Sequence, residues 1–193
     1  MNLVEIEADA WAALERATTD PKSAFRYLNL CSVDHLGAPQ ARMVVLRSAS
    51  PSDRSLEFHT DTRSSKWQEF SLNPNATVLG YCPDTRTQLR FKGRVRLFGA
   101  ETEQAEKAWN TLAPWTRTTY QGGPPGDDLA LQNADGSKGA DPNDSSTGKD
   151  CFGVIIFDVT VLDWFQLHRQ NNKRAEFDYK DDRGHPSMRW LNP

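Results

Sequence analysis

The stretch that decides the fold runs from Ala76 to Phe98. It reads Ala76-Thr77-Val78-Leu79-Gly80-Tyr81-Cys82, then Pro83-Asp84-Thr85-Arg86, then Thr87 to Phe98 as TQLRFKGRVRLF. The first part is rich in β-branched and aromatic residues, and the middle is turn-forming. The last part alternates, with Leu89, Phe91, Val95 and Leu97 as its apolar positions. Two strands joined by a tight turn are antiparallel.

Working outward, the same grammar repeats. Phe25 to Val33 predicts a strand, Asp34 to Pro39 a turn, and Ala41 to Arg47 a second strand. Ser55 to Thr60 predicts a third. Phe152 to Phe157 and Val161 to Leu167 predict two more, Arg174 to Tyr179 a last one, and Met188 to Pro193 a tail. Residues 4–16, Ser64 to Leu72 and Glu101 to Leu112 carry helical spacing. Thr18-Thr19-Asp20-Pro21 ends the first of these. Seven or eight strands joined mainly by turns, with two or three covering helices, predict a mainly β, antiparallel barrel. Neither GxGxxG nor GxxxxGK[ST] occurs, which disfavours a Rossmann or P-loop nucleotide site.

The chain has 193 residues and a net charge of −3. That size predicts one domain spanning 1–193. Residues 121–150 hold six Gly, three Pro and six Asp, and predict a flexible loop within it. The charge offers no general attraction to nucleic acid or an anionic membrane. No apolar run approaches the roughly 20 residues of a membrane span. The acidic start, Met1 to Glu7, lacks the pattern of a secretory leader. Cys31, Cys82 and Cys151 lie far apart and form no CxxC pair. They fit buried thiols in a reducing, cytoplasmic setting. His35, His59, His168 and His185 are scattered, so no metal site is expected, and no GxSxG elbow supports a side-chain nucleophile.

Four constellations carry possible chemistry. Arg42 opens an apolar strand and can present a planar fork to phosphate, although a solvent-exposed edge arginine would look the same. Arg63, Ser64, Ser65 and Lys66 sit at the start of a predicted helix, where free N–H groups and the dipole favour an anion. Cations there are disfavoured unless an anion binds, yet an ordinary serine cap remains open. Gln88 can offer a donor and an acceptor to a heterocycle edge. Trp164 and Arg174, ten residues apart, can cover and charge-balance a flat ring, or be core tryptophan and surface arginine.

Together these segments resemble the pyridoxamine 5′-phosphate oxidase family. Arg42-Met43-Val44-Val45-Leu46-Arg47 is similar to its RMVLLK strand, which lies along FMN. Phe58-His59-Thr60-Asp61 resembles its FYTN, and Ser64-Ser65-Lys66 its SRK. Gln88 falls on the family's flavin-contacting Gln. Trp164 and Arg174 keep its Trp-to-Arg spacing, and Trp190-Leu191-Asn192-Pro193 resembles its RLxP ending.

The resemblance implies a split antiparallel barrel, FMN as cofactor, and a homodimer with FMN at its interface. It implies Arg42, Arg63, Ser64 and Lys66 at the phosphate. Gln88, Trp164 and Arg174 fall around the ring or ribityl chain. Met43, Val44, Val45, His59, Thr60 and Ser65 also fall on cofactor-binding segments. The substrate positions depart from the family. Its Arg-Leu-His triplet is Gln170-Asn171-Asn172 here, and its phosphate-contacting Lys is Arg47. The expectation is an FMN-dependent oxidoreductase for a different small-molecule substrate, met by Arg47, Arg117 and Tyr120. The alternatives are a non-catalytic flavin carrier or sensor and, last, a haem-binding relative.

Overall fold

The computed structural model describes residues 2–128, 148–180 and 186–193. The chain begins with α1 (Leu3–Thr19), then β1 (Tyr27–Val33), β2 (Pro39–Ser50) and β3 (Ser55–Asp61). Helix α2 (Ser65–Leu72) precedes the hairpin β4 (Asn75–Cys82) and β5 (Thr87–Phe98). Then come α3 (Glu103–Thr111), the short α4 (Pro114–Arg117) and a 3-10 turn, Thr118–Tyr120. After a second 3-10 turn, Lys149–Cys151, come β6 (Phe152–Gln166), β7 (Lys173–Asp178) and β8 (Ser187–Leu191).

All ladders are antiparallel, in the order β3-β2-β1-β4-β5-β6-β7-β8, and β3 also pairs with β6. Strands β1 to β6 therefore close a barrel, while β7 and β8 extend from it. Strand β6 makes this possible by dividing one edge. Phe152 to Asp158 pair with β3, and Val161 to Gln166 pair with β7. Its other edge runs along β5 throughout.

The two strands expected over 152–157 and 161–167 are thus one strand of 15 residues. The polar Asp158-Val159-Thr160 reads as an interruption, but the ladder passes through it with a bulge. Lys92 pairs with Val161 and Gly93 with Val159, so Thr160 is the extra residue, and its hydroxyl donates to Lys92 O at 3.1 Å. Gly93 is required opposite this bulge, because a Cβ there would lie 2.0 Å from Asp158 O.

Helix α1 covers the barrel with Ile6, Ala10, Trp11, Leu14 and Ala17, a single helical face. It starts in a capping box. Asn2 Oδ1 accepts from Glu5 N at 2.9 Å, and Glu5 Oε2 accepts from Asn2 N at 2.8 Å. It runs to Thr19, beyond the expected residue 16, because Thr18 and Thr19 bond back to the carbonyls of Glu15 and Arg16. Trp11 Nε1 donates to Tyr179 Oη at 3.1 Å, tying the first helix to the residue after β7.

A second core lies on the other face of β6. Phe152, Val154 and Ile156 pack there against Ala105, Trp109, Leu112 and Tyr120. The rings of Trp109, Tyr120 and Phe152 meet edge to face, with centroids 5.2–5.9 Å apart. Most of the expected 121–150 loop lies outside the described residues. Among these residues, no helix is long and apolar enough to cross a membrane.

Candidate functional site

The sequence positions gather at two places. The first is the barrel end beneath α2. Thr60 shares the inward face of β3 with Phe58, and Arg42 shares that of β2 with Val44 and Leu46. Lys66, in the first turn of α2, donates from Nζ to Thr60 Oγ1 at 3.0 Å. Burial pushes the Lys66 ammonium below its ordinary range, and the nearby Arg42 guanidinium pushes the same way. Ser64 is the residue before α2 and is buried, but its hydroxyl donates to Asp61 O at 2.6 Å instead of capping the helix. No acidic residue stands in that first turn. A half-buried ammonium at an uncapped helix start suits an anion.

The other arginines there are engaged. Arg42 donates to Leu30 O at 3.3 Å and to Ser32 Oγ, and pairs with Glu69 Oε2 at 2.8 Å. Arg63 forms a two-pronged pair with Asp61, at 3.0 and 2.6 Å, which raises its pKa, and donates to Gly122 O at 3.0 Å. It pins the 120–122 segment, while Ser65 is exposed. Sequence reasoning missed Ser32, Asp61 and Glu69. Glu69 was legible as the i+3 partner of Lys66, but its reach to Arg42 on β2 was not.

The second place is the outer face of the sheet. The register aligns Tyr81, Gln88, Phe165 and Arg174 in one row, and Asn29, Leu79, Arg90, Asp163 and Glu176 in the next. Met43, 59% exposed, lies opposite Asn29, and Tyr27 opposite Val45. Trp164 is not in these rows. The pleat turns it to the other face, 5% exposed, where it joins Phe25 and Leu89 in lining a cavity of about 490 Å³ under α1. Phe165 is the aromatic beside Gln88 and Arg174. Trp164 and Arg174 keep the expected spacing but not a common face, since period-two alternation puts neighbours on opposite sides.

His59, Arg47, Tyr120 and Arg117 meet at the second core. Arg47 is the bulged residue between Leu46 and Ser48, and it lies near enough to Tyr120 to interact electrostatically. Burial pushes the Tyr120 hydroxyl up to about 12, against the pull of Arg47. His59 Nε2 lies 2.9 Å from Glu57 Oε1, and Phe152 meets its ring at 5.0 Å. Arg117 stacks on Trp109 at 5.5 Å and donates to Asn110 O at 3.2 Å. Arg47 Nε, His59 Nδ1 and Arg117 Nε are buried with no hydrogen-bond partner among the described residues. Unpaired polar atoms in one neighbourhood suit a polar ligand. Among the described residues, no three His, Cys, Asp or Glu side chains gather as a metal site.

Residues 8–99 match the model of the family described as "Pyridoxamine 5′-phosphate oxidase, FMN-binding domain". Over 92 residues the chain is 33% identical to the pyridoxine/pyridoxamine 5′-phosphate oxidase of Burkholderia mallei (strain SAVP1). That match covers 47% of this chain and 40% of the relative. A pyridoxamine 5′-phosphate oxidase-related, FMN binding protein from Nostoc punctiforme PCC 73102 superposes over 96% of both chains, with TM-score 0.75 and 25% identity. The fold is that of the pyridoxamine 5′-phosphate oxidase-like split barrels, and residues 8–99 match that family's FMN-binding domain. PhzG from Burkholderia lata 383 shares the fold alone, with TM-score 0.69 at 17% identity over 99% of this chain and 90% of its own. The chain thus matches less than half the length of the curated pyridoxamine 5′-phosphate oxidase-like relatives. The matched segment contains Lys66 and the start of α2; Phe165 and Arg174 lie beyond it.

The residues present fit such a family's cofactor. A phosphate would meet Lys66 and the uncapped start of α2. A planar ring edge would meet the Gln88 and Arg174 face. Met43 and Val45 point outward from β2, where a ligand on the barrel surface would lie.

Proposed function

We propose that this chain is a homodimeric FMN-binding oxidoreductase acting on a small molecule other than pyridoxamine 5′-phosphate. The observation that carries the cofactor is Lys66, half-buried beside Arg42 at a helix start with no side-chain cap and no acidic residue in its first turn. That arrangement disfavours its own charge unless an anion arrives. Flavin, when bound, supplies hydride transfer through its N5.

The chain's own residues supply placement. Lys66 and the N–H groups at the start of α2 hold the phosphate, and Arg42 adds positive field behind it. Gln88 and Arg174 of a second copy offer donors and an acceptor to the ring. The exposed Tyr27, Met43 and Tyr81 on that face support a dimer, because burying them offsets the cost of association. Arg47 and Tyr120 orient an anionic substrate beneath α4.

The substrate differs because Gln170-Asn171-Asn172 carries no charge. This loop is exposed, and Asn172 Oδ1 accepts from His168 N at 3.0 Å. The same loss favours a second reading, a flavin carrier or sensor. The deciding experiment is an absorbance spectrum of the purified protein, repeated on Arg42→Ala and Lys66→Ala with added FMN. Flavin bands that weaken in both variants are expected, and a protein that takes up no FMN overturns the proposal. Photoreduced flavin offered electron acceptors then separates enzyme from carrier. Rapid oxidation of pyridoxamine 5′-phosphate would refute the substrate assignment.

A further inference from the structure

Asp163 is a charged residue inside the apolar strand β6, 3% exposed, on the outward face. Burial opposes its ionisation, but hydrogen bonds from Arg174 and Arg90 outweigh this and hold the carboxyl below its usual range. Arg174 reaches it with two nitrogens, Nε at 3.0 Å and Nη2 at 2.8 Å, and Arg90 Nη2 reaches the same Oδ2. The three residues come from β5, β6 and β7, adjacent in the sheet.

Two features make this more than an internal ion pair. The cluster carries two guanidiniums on one carboxylate, so one positive charge is left over. Arg90 Nε is buried with no partner among the described residues, although the side chain as a whole is about one third exposed. A shared carboxylate also fixes both forks, which as free side chains would lose rotamer entropy on contact with a ligand. Gln88 and Phe165 share the row of Arg174, next to the row of Arg90 and Asp163. An apolar ring, an amide edge and two fixed guanidiniums suit a planar heterocycle with acceptor atoms along one edge.

Resting on the flavin reading above, we propose that Asp163 is a positioning residue. It holds Arg90 and Arg174 as a preset pair of donors beside Gln88, for the ring edge of the FMN held by the opposite subunit. Arg90 becomes a contact residue, while Asp163 touches no ligand and acts through both arginines.

The test compares FMN with riboflavin, which lacks the phosphate, by quenching of flavin fluorescence on wild type, Asp163→Asn, Asp163→Glu and Arg90→Met. The expected result is a loss of about tenfold in affinity for both flavins in Asp163→Asn, with partial recovery in Asp163→Glu. Arg90→Met loses affinity for both flavins as well, and it provides the reading where Asp163→Asn fails to fold. Wild-type affinity in folded Asp163→Asn or Arg90→Met overturns the inference. So does a loss confined to FMN, since the cluster would then serve the phosphate. A wild type that binds neither flavin refutes the cofactor assignment itself, which separates that failure from this one.

Discussion

Replacing Lys66 with methionine should raise the stability of the flavin-free protein while removing much of its affinity for FMN. Lys66 is half-buried, burial and Arg42 disfavour its charge more than Asp61 and Glu69 favour it, and its hydrogen-bond partner is Thr60 Oγ1 at 3.0 Å. Methionine keeps the length and flexibility of the stem and removes the charge. Relief of a strained functional site is worth about 0.5–2 kcal/mol. For a domain of this size, each kcal/mol is a shift of about 2–4 °C in Tm. Losing a hydrogen bond to a charged group costs about 1.5–3 kcal/mol, or roughly 10- to 150-fold in Kd.

The stability gain carries a pH signature. The folded-state pKa of Lys66 lies below its ordinary 10.5, so folding disfavours the proton. The penalty is therefore fully present below the depressed value, and it fades as pH rises from there toward 10.5. The gap in Tm between Lys66→Met and wild type should close over that window. Differential scanning fluorimetry from pH 7 upward and flavin-quenching titrations give both readings. A lower Tm for the flavin-free variant, or an unchanged Kd for FMN, would refute the reasoning.

Three further outcomes follow from the packing. Gly93→Ala drives a Cβ toward Asp158 O, 2.0 Å away, so urea denaturation should show a loss of about 1–3 kcal/mol, at the upper end because backbone must move. Trp109→Ala empties the centre of the second core and should cost about 3–5 kcal/mol, with earlier proteolysis of the segment around α3 and α4. Met43→Lys places a charge on the exposed sheet face without touching either core; sedimentation should report a dimer shifted toward monomer with weaker FMN binding, and an unaltered dimer argues against that face as the interface.

The barrel was legible because period-two alternation and turn residues are local signals, and the hairpin at Pro83 to Arg86 carried both. The unity of β6 was not, because Asp158 and Thr160 look like a break until Gly93 on the facing strand accommodates the bulge. Lys66 was singled out by its place at a helix start, and Thr60 by its place in the Phe58-His59-Thr60-Asp61 segment. The pleat of β6 was harder. The resemblance placed Trp164 against a flavin ring on the outward face, but transfer energetics put the indole inside and the carboxylate of Asp163 outside, which is the arrangement observed. Arg90 and Arg174 arrive from neighbouring strands to satisfy Asp163. Such partners lie 73 and 11 residues away and are invisible to any short window.

The divided edge of β6 also sets a timetable. While the chain is being made, β3 has β2 on one side and nothing on the other until residues 152–158 emerge. At roughly 5–20 residues per second, the interval from residue 61 to residue 158 is roughly 5–20 s. Throughout it β3, and from residue 98 onward β5 as well, present open edges that a neighbouring nascent chain could pair with. The hazard ends only when one late strand arrives to occupy both vacancies, so truncations or translational pauses before residue 152 should yield aggregates, whereas those after residue 166 should yield closed barrels lacking β7 and β8.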